Sequence, residues 1–167
     1  MIATMLDRFI RLEETQHVPE PARALFLRKY KNEIPDFPHH VVANYRAADS
    51  AEVPVCYIHF TDCGDILLGG GACVDDRVLR KMSAGERDEL RDVGGIYQFA
   101  LTWSVNHFSQ QFAAVFGYCG DKLAERVDRA AGFESTAYDR LLVYWTREVG
   151  AARRKQMVEK AQAFTPF

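Results

Sequence analysis

The chain has 167 residues, 48% of them hydrophobic and 26% charged, with a formal net charge of −2 and a pI near 6.2. A chain of this size buries roughly 70% of its unfolded surface, so we expect a single domain over residues 1–167, and the composition excludes intrinsic disorder. The balance of charges lacks the basic excess typical of proteins that bind a phosphate backbone, so no nucleic-acid partner is expected.

The sequence carries no signal for a membrane or for export. It contains no apolar run of the length that spans a bilayer, and its start, MIATMLDRFIRLEETQ, has acidic residues where a signal peptide is apolar. We therefore expect no membrane association and a cytoplasmic location.

Two amphipathic helices are predicted first. Apolar residues such as Leu6 and Ile10 recur at helical spacing in 4–15, and a similar pattern covers 20–33. Pro35 stops the second helix, because proline lacks the N–H group that a helix interior needs.

Three strands follow, at 40–46, 53–60 and 65–74. The links between them are short and rich in turn-forming residues, which indicates an antiparallel meander. The third strand contains the glycines of 69–71, and glycine inside a strand marks a bulge or a close approach of backbone and ligand.

A loop of about fifteen residues is predicted between the third strand and Arg91. Within it, Ser83 and Glu86 have capping-box spacing, which favours a short helix or turn at 83–90. Residues 95–112 then form a helix that is apolar nearly all round, as expected for a core helix.

The remaining chain alternates strand and helix. A buried strand is predicted at 112–119, followed by a helix capped by Asp121 and ended by Gly132, then a strand at 140–146. The tail, about 147–167, is helical in propensity. The buried face of the helix after Asp121 is predicted to carry Leu123, Val127 and Ala131.

This order of elements predicts an α/β (α+β) fold. We expect a mixed, mostly antiparallel sheet flanked by helices on both faces.

Three segments, LLGGGACVD, RDVGGIYQFAL and FGYCGDKLAERVDRAAGF, resemble the GNAT superfamily of acyl-CoA N-acyltransferases. The resemblance covers about residues 4–146. It implies transfer of an acyl group from acetyl-CoA or another acyl-CoA to an amine of a small molecule or a protein. The family's first strand would have to come from MIATM, or be missing.

The resemblance also implies a coenzyme A site. A strand supplies backbone groups to the pantetheine arm, here Ala72, Cys73 and Val74. A turn before a helix binds the pyrophosphate, and the matching residues are Arg91, Gly94, Gly95 and Ile96, although Ile96 stands where the family has a small residue. Independently of the resemblance, the start of this helix is expected to bind an anion such as pyrophosphate, because unpaired N–H groups at a helix start bind anions.

Catalysis needs a proton donor for the leaving thiolate and a base for the amine. The family's usual tyrosine is replaced by Asp128, so we predict Tyr118, at the end of a strand, as the general acid. For the base, His59 and Asp75 are equal candidates. Cys119 is a further candidate for direct acylation.

Two other classes of function stay open. Asp128, Ile96 and three aromatic residues expected to be exposed favour an inactive GNAT-like binding or assembly module; the aromatics are Phe108, Phe112 and Tyr138. Thiol or metal chemistry at Cys56, Cys63, Cys73 or Cys119 is the other class. No metal site is predicted, because strand alternation points Cys56 and His59 to opposite faces. A homodimer through the final strand and tail is a possible assembly, since an exposed strand edge invites pairing.

Overall fold

The computed structural model describes residues 5–167. Within them, seven strands form a sheet in the order β1-β2-β3-β4-β5-β7-β6, with six α-helices and one short 3-10 helix. The strands are β1 (Ile10–Thr15), β2 (His39–Tyr45), β3 (Val53–Cys63), β4 (Ile66–Val74), β5 (Ala114–Tyr118), β6 (Glu134–Ser135) and β7 (Leu141–Trp145). The helices are α1 (Glu20–Tyr30), α2 (Asp76–Lys81), α3 (Ala84–Asp92), α4 (Ile96–Phe108), α5 (Lys122–Ala130) and α6 (Ala151–Gln162).

The predicted mixed, mostly antiparallel sheet is confirmed. β1 pairs with β2, β5 with β7 and β6 with β7 in antiparallel register, whereas β4 and β5 are parallel. The chain forms two compact units. The first unit contains the residues up to His59 together with Gly71–Ala100, and the second contains Phe60–Gly70 and Leu101–Phe167. The single domain expected from chain length stays a prediction.

The first helix predicted from the sequence is wrong. A 3-10 helix covers Met5–Arg8, and Ile10–Thr15 is a strand whose register with β2 runs from Ile10 opposite Tyr45 to Thr15 opposite His40. The ladder with β2 supplies backbone hydrogen bonds that outweigh a weak local helical pattern. β1 is the first strand of the described residues, and residues 1–4 of MIATM, the segment considered as a source of the family's first strand, lie outside them.

The second predicted helix is confirmed as α1. It begins after Pro19 and ends at Lys31, whose φ of 60° is left-handed and whose N–H bonds to the Leu27 carbonyl. Its buried side chains are part of the core of the first unit. That core contains Leu25, Phe26, Val42, Tyr57 and Cys73, with Val18, Tyr30 and Ile34 packed against it.

The long loop predicted before Arg91 is wrong, because it contains two helices. Asp75 caps α2 by accepting a hydrogen bond from the Arg77 N–H, and Ser83 and Glu86 form the predicted capping box of α3. Each helix buries a single side chain, Val78 in α2 and Leu90 in α3. So few apolar residues give little periodic signal, and the caps were the better guide.

The second unit has its own core around β5 and β7. Asp121 caps α5 as predicted, and Gly132 follows it with a φ of 103°. Leu123 was predicted to face this core, but 62% of its surface is exposed, and the buried residue of α5 is Asp128. The members of the core include Ile66, Leu68, Ala114, Phe116, Leu141, Val143, Met157 and Ala161.

The C-terminal tail is helical, as predicted, and α6 buries Met157 and Ala161 in this core. Arg153 and Lys160 of α6 both pair with Asp65, which anchors the helix by charge as well as by apolar contact. β7 lies between β5 and the two-residue β6, which pairs with Leu142 and Val143 only. Dimerisation through the final strand and tail stays a prediction.

Candidate functional site

β4 and β5 pair over only part of β4. The parallel register joins Ile66–Gly69 to residues 114–117, whereas β4 continues to Val74. Gly71 has a φ of 53°, in the left-handed region that favours glycine, so the strand is irregular just after the pairing ends. The last residues of β4 therefore have no strand partner on the β5 side.

The backbone of β4 alternates in direction beyond this point. The Asp75 N–H donates to the Val55 carbonyl of β3 at 2.8 Å, so by alternation the polar groups of Cys73 face β3 and those of Ala72 and Val74 face away from it. Of the three residues predicted to contact pantetheine, Ala72 and Val74 thus present their backbone outward. The Cys73 side chain is buried in the core of the first unit.

Two side chains of α1 already occupy one of these groups. The Ala72 carbonyl accepts hydrogen bonds from Lys29 Nζ at 2.7 Å and from the Tyr30 hydroxyl at 2.8 Å. Neither Lys29 nor Tyr30 lies in a recognisable sequence motif, so their contacts with Ala72 could not be predicted from the sequence. Any ligand that uses this carbonyl must displace or share these donors.

The N–H groups of Gly94 and Gly95, in the turn between α3 and α4, are hydrogen-bonded to the end of α3. The Gly94 N–H donates to the Arg91 carbonyl and the Gly95 N–H to the Leu90 carbonyl, at 3.0 and 2.8 Å. Both glycines have a left-handed φ, of 89° and 96°, as is common where a helix ends. The N–H groups of Gly94 and Gly95, which were expected to bind an anion, therefore already have acceptors within the protein.

The start of α4 retains anion-binding potential. Its hydrogen-bond ladder opens with the Phe99 N–H donating to the Gly95 carbonyl, and the amide groups of the first turn have no acceptor within the helix. A Cβ added at Gly95 would meet nothing within 4 Å, so the turn is open on that side. Arg91 lies in the last turn of α3 and pairs with Asp88 at 2.6 Å, and Ile96 is buried.

His59 is the most unusual polar residue of the first unit. Its ring stacks on Phe37, with the centroids 3.5 Å apart and the planes 4° apart, and only 6% of the residue is exposed. Its Nδ1 has no hydrogen-bond partner within residues 5–167. Burial, with a smaller effect of His40, lowers the pKa of His59 to about 3, so the ring is neutral at neutral pH. It also lies against Gly71, where a Cβ would come within 1.9 Å of His59 Cε1.

Asp75 has a structural role. It caps α2 and pairs with Arg77 and Arg28, both at 3.2 Å. Burial raises the pKa of Asp75, but the hydrogen bonds from Arg77 and the charge of Arg28 outweigh burial, so the pKa lies below its usual value. A carboxylate held in this way is a poor proton acceptor.

The predicted general acid and the residue in the family's tyrosine position both lie in the second unit. Tyr118 is half-buried at the end of β5, with its ring 6.2 Å from that of Phe167. Asp128 is buried and accepts a hydrogen bond from the Cys119 thiol at 3.3 Å. Burial first, then the charge of Asp128, raises the pKa of Cys119, which disfavours its thiolate.

The structure gives less support to the two alternative functions, a binding module with exposed aromatic residues and thiol or metal chemistry at the cysteines. Phe108 and Phe112 were expected to be exposed, but both are buried, and Tyr138 is half-buried and donates to Glu159. Burial also raises the pKa values of Cys56, Cys63 and Cys73, so a reactive thiolate is not favoured at any of these thiols. In the part of the chain that the structure describes, no three potential metal ligands cluster, and no helix is long and apolar enough to cross a membrane.

No known family profile and no curated protein matches the chain. Solved structures do resemble it. The ribosomal-protein-S18-alanine N-acetyltransferase from Escherichia coli is 8% identical, with 84% of this chain and 97% of that chain covered and a TM-score of 0.49. A complex of the AtaT toxin with the C-terminus of the antitoxin AtaR and acetyl-CoA is 13% identical, with 93% and 98% covered and a TM-score of 0.48.

The KacTA–DNA complex is 12% identical, with 92% of this chain and 98% of that chain covered and a TM-score of 0.45. At such low identity these likenesses concern the fold alone.

Proposed function

We propose that this protein is an acyltransferase that moves an acyl group from acetyl-CoA or another acyl-CoA to an amine. The observation that carries the proposal is the end of β4–β5 pairing at Gly69 and Gly117, after which β4 continues with outward-facing backbone at Ala72 and Val74. These groups would receive the pantetheine arm. Gly95 and the first turn of α4 would receive the pyrophosphate, since a helix N-terminus favours negative charge.

The pyrophosphate grip would differ from the one that the sequence motif implies. Because the N–H groups of Gly94 and Gly95 are used by α3, the donor would be the amide of Ile96, the first residue of α4. Arg91 would contribute by charge from the adjoining turn. The bare Cα of Gly95 lets an anion approach closely.

For the chemical step, we assign each role from the surroundings of the residue concerned. Tyr118 would donate a proton to the leaving thiolate, because it is a half-buried tyrosine at the end of β5. The pKa values of both candidate bases are lowered, so the choice rests on geometry: His59 would accept the proton of the attacking amine, because His59 Nδ1 has no partner while Asp75 is held by two arginines. With a pKa of about 3, His59 is unprotonated but weakly basic, so the amine must arrive neutral.

Calorimetry with coenzyme A and acetyl-CoA tests the binding step, using Gly95→Ala as the diagnostic variant. We expect the wild type to bind and Gly95→Ala to bind at least fivefold more weakly, because a Cβ at a φ of 96° both strains the turn and blocks the approach to the anion. Gly85→Ala in α3 is the matched control: its Cβ, in a helical position, would meet only Ser83 Oγ at an unstrained 4.0 Å, so affinity should not change. No heat of binding by the wild type at millimolar ligand rules out the proposal.

Thiol release from acetyl-CoA with a panel of amines tests the chemical step. Tyr118→Phe is expected to lower kcat at least tenfold while leaving acetyl-CoA affinity within twofold, since general acids contribute about 10² to 10⁴ in rate. Tyr144→Phe, at another half-buried tyrosine of the second unit, is the control and should keep the wild-type rate. An unchanged kcat in Tyr118→Phe would remove this residue from the mechanism.

A second function is favoured by one feature, the buried Asp128 in the position of the family's tyrosine, hydrogen-bonded to Cys119. In that case the fold binds acyl-CoA or a protein partner without turnover. Binding of acetyl-CoA with no thiol release above background, for any amine tested, distinguishes this module from the enzyme.

A further inference from the structure

A second concave site lies in the first unit, where β1 leads into α1 and the segment before β2 begins. Its volume is about 360 Å³, at the small end of the range for small-molecule sites. The proposed acyl-CoA contacts use none of its lining residues. These include Gln16, Val18, Arg23, Ile34, Asp36 and His40.

The pocket is preformed on its inner side. His40 is 6% exposed, and its Nδ1 hydrogen-bonds with the hydroxyl of the fully buried Tyr57 at 2.8 Å. Val18 and Ile34 pack against the core of the first unit and add a small apolar area to a mostly polar lining. Such a site needs little ordering when a ligand binds, which lowers the entropic cost of binding.

Two opposite charges lie at the pocket without partners. Arg23 and Asp36 both line it, yet within residues 5–167 neither forms an ion pair or a side-chain hydrogen bond, with each other or with any further residue. By contrast, Arg11 of β1 is paired with both Glu13 and Glu52. Burial lowers the pKa of His40, so the floor adds no positive charge near neutrality.

We propose that this pocket binds a small zwitterion of the amino-acid class, with its carboxylate at Arg23, its ammonium group at Asp36 and a short apolar side chain against Val18 and Ile34. A guanidinium offers a carboxylate two parallel N–H donors, and an aspartate accepts from an ammonium group. A ligand with a single charge leaves one of the two protein charges without a partner.

A titration of the full chain with L-valine, followed by amide chemical shifts in NMR spectra, tests the proposal. Isovalerate lacks only the ammonium group of valine, and isobutylamine lacks only its carboxylate. We expect valine to shift the amides of Val18 and Ile34 with saturation in the millimolar range or below. Isovalerate and isobutylamine should each bind at least tenfold more weakly.

Charge-removing variants complete the test. Arg23→Gln and Asp36→Asn should each weaken valine binding at least tenfold, and both should fold normally because neither side chain has a partner to lose. Glu33→Gln, in the segment that leads to the pocket, and Arg126→Gln, in α5, are matched controls that should bind like wild type. Three results would each overturn the proposal: equal affinity for isovalerate and valine, wild-type affinity in Arg23→Gln and Asp36→Asn, or no shifts up to 50 mM valine, about 50-fold above a Kd of 1 mM.

Discussion

Replacing Gly71 by alanine is expected to destabilise the protein by more than about 3 kcal/mol, as overpacking and backbone strain combine. A Cβ at this position would lie 1.9 Å from His59 Cε1 and 2.4 Å from His59 Nδ1, and a φ of 53° is itself unfavourable for alanine. The ring of His59 has little room to move, because Phe37 stacks on it at 3.5 Å. Denaturant unfolding followed by circular dichroism measures the loss.

A double-mutant cycle separates the steric contribution from the backbone strain. In the His59→Ala background the ring is absent, so Gly71→Ala should then cost only about 1 kcal/mol, the strain of a left-handed alanine. Gly120→Ala is the control for adding a methyl group: its Cβ would meet nothing within 4 Å, so stability should change by less than about 0.5 kcal/mol. If Gly71→Ala costs the same with and without His59, the close approach of ring and backbone does not exist in solution.

Acidification is expected to destabilise the wild type more than a variant that lacks the imidazole of His59. The folded-state pKa of His59 is about 3, while an unfolded histidine has a pKa near 6.5. Between these values the unfolded chain binds one proton more than the folded chain, so stability rises with pH by about 1.4 kcal/mol per pH unit. The contribution is complete above pH 6.5 and is lost as the pH falls toward 3.

The comparison is made with His59→Leu, which is similar in volume and cannot titrate. Its unfolding free energy should fall by roughly 3 kcal/mol less than that of the wild type between pH 6.5 and pH 4. His40, whose pKa is also lowered by burial, contributes in the same direction in both proteins, so the difference isolates His59. Parallel pH profiles for the wild type and His59→Leu would show that His59 is protonated normally in the folded state.

Confirmation of the Gly71→Ala and His59→Leu predictions would also support a role for His59 in catalysis. A buried, neutral His59 with an unpaired Nδ1 is costly to maintain, because a buried polar atom without a partner loses its hydrogen bonds to water. Such atoms in a native structure call for an explanation, and proton acceptance from a substrate is one that the proposed function provides. Binding of an amine acceptor should then be reflected in the His59 imidazole resonances.

Much of the fold could be predicted from local sequence signals. The caps at Ser83 and Asp121 were correct because capping depends on residues only three positions apart. The strands β2 to β5 and β7 were correct to within a few residues, since each has a clear apolar run between turn-forming residues. Where the signal was ambiguous, as in 4–15, pairing with β2 decided the structure.

The candidate site was less predictable. The pairs that define it are far apart in sequence: Tyr30 reaches the carbonyl of Ala72, and Phe37 stacks on His59. No spacing rule connects such positions. Asp75 was chosen for its place at a strand end, and only its arginine partners show that its carboxylate is held in ion pairs.

Local signals in the sequence were enough to predict where most helices and strands lie and where several of them are capped. These properties depend on hydrogen bonds and apolar spacing within a few residues. Three features follow from folding and not from local sequence. The Gly94 and Gly95 amides are hydrogen-bonded to α3, and His59 is buried and neutral. Arg23 and Asp36 line one pocket without forming an ion pair within the described residues. Hydrogen-bond partners, burial and electrostatic surroundings depend on residues brought together by folding, and those determine which polar groups remain available to a ligand.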